Sequence, residues 1–204
     1  MAASAPNAGR SPSEMARILA HPLDEFYSQL GLTLPPLQEL DGEAVPQPYR
    51  RLLVHKDDMT PTLEKFYAQD IHLRVFGRRR KGNEYFREVV LLLDNNDQPV
   101  EFGAIKIELE LFSDEARKQI LEERRPLGHI LNEGGIKHSS RPKAFLRVAS
   151  DKLINEALQL TGAHVLYGRR NTLFDSQDRP LAEIVEILPP ATRRGNGGLP
   201  MRPT

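Results

Sequence analysis

Residues 84–111 read EYFREVVLLLDNNDQPVEFGAIKIELEL. Glu84 to Leu93 is dense in β-branched and aromatic side chains, and Asp94-Asn95-Asn96-Asp97-Gln98-Pro99 is a turn by composition. In Val100 to Leu111, apolar Phe102, Ala104, Ile105, Ile107, Leu109 and Leu111 mostly alternate with charged Glu101, Lys106, Glu108 and Glu110. A period of two on both sides of a turn predicts an antiparallel hairpin with one face toward water.

Downstream of the hairpin, Ser113-Asp114-Glu115 caps a helix running to about Arg124, with acids at its start and bases at its end to match the helix dipole. Pro126-Leu127-Gly128 interrupts, and Ile130 and Leu131 resume an apolar face. Phe145, Leu146 and Val148 predict a short strand. Ser150-Asp151 opens a second capped helix that Gly162 closes. His164 to Phe174 and Leu181 to Leu188 predict a last hairpin. Upstream, Thr60-Pro61 reads as a helix start, with a hydroxyl cap and proline at the first position. Ile71, Leu73 and Val75 alternate as a strand, and Arg78-Arg79-Arg80-Lys81 reads as an exposed turn. Glu14 to Gly31 carries one helical periodicity, and Pro35, Pro36, Pro46 and Pro48 mark a linker.

Hairpins separated by isolated helices predict an α+β fold, an antiparallel sheet with helices on one side. The expected organisation is a mobile tail at 1–13, a helical N-terminal extension and Pro-rich linker at 14–48, a main domain at 49–190 and a second mobile tail at 191–204.

Composition narrows the function. The 204 residues carry 28 basic and 28 acidic side chains and no cysteine. Neutrality removes the usual electrostatic basis for a dedicated nucleic-acid binder. Without thiols there is no disulfide, no thiolate zinc site, no iron–sulfur cluster and no cysteine nucleophile. The longest apolar run, Val89 to Leu93, falls far short of the ~20 residues of a membrane span, and no secretory signal is visible. A cytoplasmic protein without membrane or nucleic-acid partners, monomer or homodimer, is expected.

Little in the sequence points to metal or nucleotide chemistry. His21, His55, His72, His129, His138 and His164 show no helical ligand spacing, although His129 and His138 flank the Gly134-Gly135 turn. Gly134-Gly135-Ile136-Lys137 lacks the spacing of a phosphate-binding loop, and Ser113 and Ser150 read as caps. What remains is arginine in strands: Arg87, and the pair Arg169-Arg170, which alternation turns to opposite faces. A guanidinium facing a sheet core needs an anion, and its planar fork suits a carboxylate. The alternative is a solvated face or an ion pair with Glu88, Glu101 or Glu108.

Five segments in order resemble the chorismate lyase family, whose fold is shared by effector-binding domains of some bacterial regulators. They are Leu52-Leu53-Val54 with Asp57-Asp58-Met59-Thr60, then Phe86-Arg87-Glu88-Val89, then Arg125-Pro126-Leu127-Gly128-His129-Ile130-Leu131, then Tyr167-Gly168-Arg169-Arg170, then Pro180-Leu181 leading to Glu186-Ile187-Leu188-Pro189-Pro190. The resemblance implies a six-stranded antiparallel sheet with helices packed on it and a ligand enclosed between sheet and helical flaps. It implies a lyase that needs no metal or organic cofactor and eliminates pyruvate from chorismate to leave 4-hydroxybenzoate, feeding ubiquinone or another aromatic pathway. By the match, Arg87 would grip the ring carboxylate, Leu127 would offer its backbone amide beside Gly128, Met59 would line the pocket, and Glu186 would act as general acid. Arg169 or Arg170 would be a second cation for the other carboxylate. His129 stands where the family often has arginine, and one extra residue before Glu186 makes Glu183 a competitor for its role. The alternative is a non-catalytic sensor of an aromatic carboxylate on the same fold.

Overall fold

Hydrogen-bond register, more than local propensity, decides this architecture. A computed structural model describes residues 11–191. In chain order it forms α1 (Pro12–Ala20), α2 (Leu23–Gln29), β1 (Leu37–Leu40), α3 (Tyr49–Leu53), α4 (Met59–Tyr67), β2 (Ile71–Lys81), β3 (Glu84–Leu93), β4 (Pro99–Glu108), α5 (Asp114–Glu122), α6 (Leu127–Glu133), β5 (His138–Ala149), α7 (Lys152–Leu158), β6 (Val165–Asp175) and β7 (Pro180–Leu188). The expected tails lie outside the described residues, apart from Ser11 to Ser13, which cap and open α1, and Ala191, whose backbone N–H bonds Tyr49 Oη.

The strands make one antiparallel sheet in the order β1-β5-β6-β7-β4-β3-β2. Two meanders, β2-β3-β4 and β5-β6-β7, join edge to edge where β4 pairs with β7, Ile105 opposite Ile184. Seven strands replace the expected six. The extra one is β1, from the Pro-rich passage, with Leu37 opposite Val148 and Leu40 opposite Phe145. Four residues between prolines are too few to show alternation, so only pairing to β5 reveals this strand.

Local readings shift in three places. The 14–31 periodicity is two helices broken at His21-Pro22, because proline cannot supply the next helical N–H. α4 begins at Met59 with Asp58 at its N-cap, so Thr60-Pro61 lies inside its first turn. Arg78 to Lys81 is not a turn but the end of β2, Lys81 opposite Glu84. The chain reverses instead at Gly82, whose φ of +61° favours glycine. As the sheet's edge, β2 carries cations that discourage further pairing.

Helices cover both faces of the sheet, not one. Against Phe86, Val90, Phe102, Ala104, Leu146, Val185 and Ile187 pack Leu19 of α1, Leu23, Phe26 and Tyr27 of α2, and Ile154, Ala157 and Leu158 of α7. The other face holds Ile105, Ile107 and Leu173 beneath Ile120 of α5 and Leu127, Ile130 and Leu131 of α6. It also holds Leu91 and Leu93 beneath Leu53 of α3 and Met59 and Leu63 of α4. The central hairpin therefore has no wet face, since its polar parity is roofed by the N-terminal helices and α7. Where that roof ends, Lys106 meets Glu84, Glu108 and Glu183 at 3.0–3.2 Å. Each large side chain sealed this way contributes roughly 1.5–3 kcal/mol.

Gly103 lets β7 come close. A Cβ there would lie 2.1 Å from the Val185 carbonyl oxygen. It also leaves the middle of the second face without a side chain, between Val89 and Glu186 in the cross-strand row.

Candidate functional site

That hollow is a small chamber, with about 60 Å³ open to the centre of a water-sized molecule. Its floor is Arg87, Val89 and Leu91 of β3, Glu101, Gly103 and Ile105 of β4, Ile184 and Glu186 of β7, and Asn171 and Leu173 of β6. Its roof is Met59 and Thr60 of α4 with Pro126, Leu127 and Gly128 at the start of α6. The structure thus gathers Met59, Arg87, Leu127, Gly128 and Glu186, from segments spread over most of the main domain, around one space.

Arg87 is 2% exposed, and its Nε and Nη1 have no hydrogen-bond partner in the protein. Burial pushes its pKa down to about 10, against the pull of Tyr85 and Glu123. A guanidinium so placed is a strong donor facing a cavity, and the ion pairs considered for it with Glu88, Glu101 or Glu108 are not formed.

Arg169 is fully buried on the same face but fully engaged. Its Nε donates to the Glu186 carboxylate, its Nη1 to the carbonyls of Leu53 at 3.4 Å and His55 at 3.3 Å, and its Nη2 to the Asp57 carbonyl at 3.2 Å. Every arm is committed to holding Glu186 and the segment that leads into α4. Geometrically it is a brace, not a free cation for a second carboxylate. Arg170 points to the opposite face, where it bonds Glu183 at 3.1 Å. Glu183 shares that face with Lys106; burial raises its pKa, but Lys106, with His21 and Arg170, holds it below the usual carboxylate value. Of the two competing glutamates, Glu186 lines the chamber and Glu183 does not.

Two side chains that the sequence reading did not assign to the site line it. Glu101 is buried with Oε2 unpartnered. Burial first, and then the Glu186 carboxylate, push its pKa well up, against the pull of Arg169. Asn171 is 1% exposed; its Nδ2 donates to Ser140 Oγ at 2.9 Å while its Oδ1 accepts from nothing. Parity could have flagged both, because Glu101 is in phase with Ile105 and Ile107, and Asn171 with Leu173.

Two histidine–carboxylate bonds tie the roof down. His129 Nε2 lies 2.8 Å from Glu64, joining α6 to α4, and His138 Nε2 lies 2.8 Å from Asp58, joining β5 to the cap of α4. The Asp58 bond raises the His138 pKa. Among the described residues no group of three or more His, Cys, Asp or Glu could hold a metal, and no described helix is long and apolar enough to cross a membrane.

No protein-family model matches the chain, and no curated protein is significantly similar to it. Solved structures are. The crystal structure of PhnF from Mycobacterium smegmatis matches with a TM-score of 0.50 at 10% identity, over 83% of this chain and 93% of that one. The effector domain of PhnF matches at a TM-score of 0.49 and 11% identity, over 64% and 87%. A GntR-family transcriptional regulator from Bacillus cereus matches at 0.42 and 12%, over 59% and 92%. At such identities the likeness to PhnF shows a shared fold and nothing finer.

Proposed function

We propose that this chain is a binding domain for a small aromatic carboxylate, received in the chamber with Arg87 as its anion clamp. One observation carries the reading: a guanidinium inside the protein with two nitrogens, Nε and Nη1, whose three N–H groups no protein acceptor satisfies. Leaving donors unpaired in a dry interior costs roughly 1–3 kcal/mol each, more for a charged group. A carboxylate removes that cost with paired, charge-assisted bonds. The apolar floor and the Met59–Leu127 roof suit a ring, and the backbone N–H of Leu127 opens α6 at the chamber wall. That one of the similar structures is called an effector domain agrees with a sensing role.

Chorismate lyase activity is the second reading, favoured by the Glu101–Glu186 pair. Burial and the neighbouring Glu186 carboxylate both favour the protonated form of Glu101, while Glu186 accepts from Arg169. Such an acid could protonate the ether oxygen of chorismate as its bond to the ring breaks. The ring would lose a proton and become 4-hydroxybenzoate, and the departing enol would become pyruvate.

Calorimetric titration with benzoate and an absorbance assay with chorismate in the presence of EDTA test both. Saturable binding without turnover establishes the sensor, and stoichiometric pyruvate and 4-hydroxybenzoate establish the lyase. The absence of both binding and turnover would overturn the clamp.

A further inference from the structure

Arg87 is not the only buried polar group left unanswered in the chamber. Register places its counterpart. Arg87 pairs with Ile105, Ile105 with Ile184, and Ile184 with Asn171, so the four stand in one straight row across β3, β4, β7 and β6. All four line the chamber. Three interstrand steps put the Cα atoms of Arg87 and Asn171 about 14 Å apart. Both side chains rise from the sheet into the chamber, one at each end of that row. The two isoleucines between them offer a flat apolar floor and nothing to bond.

The ends are chemically opposite. Arg87 presents donors. Asn171 presents an acceptor: with Nδ2 spent on Ser140 Oγ, its Oδ1 is left without a partner at 1% exposure. A buried carbonyl oxygen of this kind costs free energy until a donor meets it. Glu101 cannot answer that pole along the same axis, because it stands four residues from Ile105 on β4, about 13 Å up the strand.

We propose that Asn171 is a specificity-determining residue, selecting a single-ring carboxylic acid that carries a hydroxyl or amino group opposite its carboxylate. The assignment rests on the reading of Arg87 as the carboxylate clamp and adds the second pole. Ser140 is a positioning residue that fixes the amide so that its oxygen faces the ligand.

The experiment is a calorimetric series on the full chain with benzoate, 4-methylbenzoate, 4-hydroxybenzoate and 4-aminobenzoate, repeated on Asn171→Leu and Ser140→Ala. The unmodified protein is expected to bind the hydroxy and amino acids roughly ten- to hundredfold more tightly than the other two, since the latter strand a buried acceptor. Asn171→Leu brings the four ligands to within about threefold of each other by weakening the hydroxy and amino acids, with benzoate retained. Ser140→Ala narrows the preference without abolishing it. Equal affinities across the series in the unmodified protein overturn the role of Asn171 while leaving the clamp standing. So does an undiminished preference in Asn171→Leu. No binding by any member overturns the clamp, and the second pole with it. Should Asn171→Leu not fold, as circular dichroism would show, the series on the unmodified protein decides alone.

Discussion

Replacing Arg87 with methionine separates a binding cation from a structural one. If the guanidinium held the sheet together, its loss would leave a partner unpaired and cost roughly 3–5 kcal/mol. The structure gives it no such partner on Nε or Nη1. Burial instead holds its pKa at about 10, against an ordinary value above ~12. For a base, a folded pKa below the unfolded one means the unfolded chain binds the proton more tightly. The charge therefore destabilises the fold throughout the neutral range, and stability recovers only as pH rises past 10. At ~1.4 kcal/mol per pH unit, the cost near neutrality is about 3 kcal/mol. Methionine, unbranched but two atoms shorter, removes that cost and some of the packing, so Arg87→Met should be about 1–3 kcal/mol more stable than the unmodified protein. For a chain of this size that is a Tm higher by roughly 3–10 °C. The same variant should lose the ligand: a saturating acid at a hundred times its Kd adds about 2.7 kcal/mol to the unmodified protein and nothing to Arg87→Met. Differential scanning calorimetry with and without benzoate measures both. A Tm that falls, or a ligand shift that survives the substitution, would refute the assignment.

Two further outcomes test the frame around the site. Glu88 lies beneath α2, 5% exposed with Oε1 unpartnered, and burial pushes its pKa up to about 7 with a smaller push from Asp151. Because the unfolded chain gives up that proton first, stability should fall as pH rises from about 4 to 7, by up to about 3 kcal/mol before solvent screening of the carboxylate reduces it. Urea midpoints should show Glu88→Gln losing this slope, and parallel pH profiles would contradict it. Gly103→Ala drives a Cβ to within 2.1 Å of a backbone oxygen and should cost several kcal/mol or prevent folding, whereas at Gly128→Ala the nearest atom, Thr60 Oγ1, is 3.6 Å away and the thermal midpoint should move by only a degree or two. Equal effects at the two positions would show that β4 and β7 do not pack as described.

Alternation in 84–111 was enough to find the two central strands and their pairing, because a hairpin is a local object whose turn and parity lie within thirty residues. It misjudged their environment. Lys106 and Glu108 sit on the polar parity and read as wet, yet the same parity further along carries Phe102 and Ala104, which α1, α2 and α7 cover from over forty residues away. Helix boundaries moved for smaller reasons: Pro22 splits one periodicity into α1 and α2, and Asp58 rather than Thr60 takes the cap of α4. The short strand β1 was invisible because edge pairing to β5 is all that makes it one.

Of the site, residue type marked Arg87 as a strand arginine that either faced the core or lay on a solvated face, the family resemblance gave it the clamp role, and parity set Arg169 and Arg170 on opposite faces. What they could not show is that one inward arginine is satisfied and the other is not. Arg169 finds the carbonyls of Leu53, His55 and Asp57, contributed by a segment more than a hundred residues earlier, while Arg87 finds a hollow. Period and composition are properties of neighbours along the chain, and they determined strands, hairpins and the class of fold. Which polar atoms go unanswered depends on distances between strands and layers that are set only when the two meanders join at β4 and β7, and that closure alone brought Arg87 and Asn171 into one row.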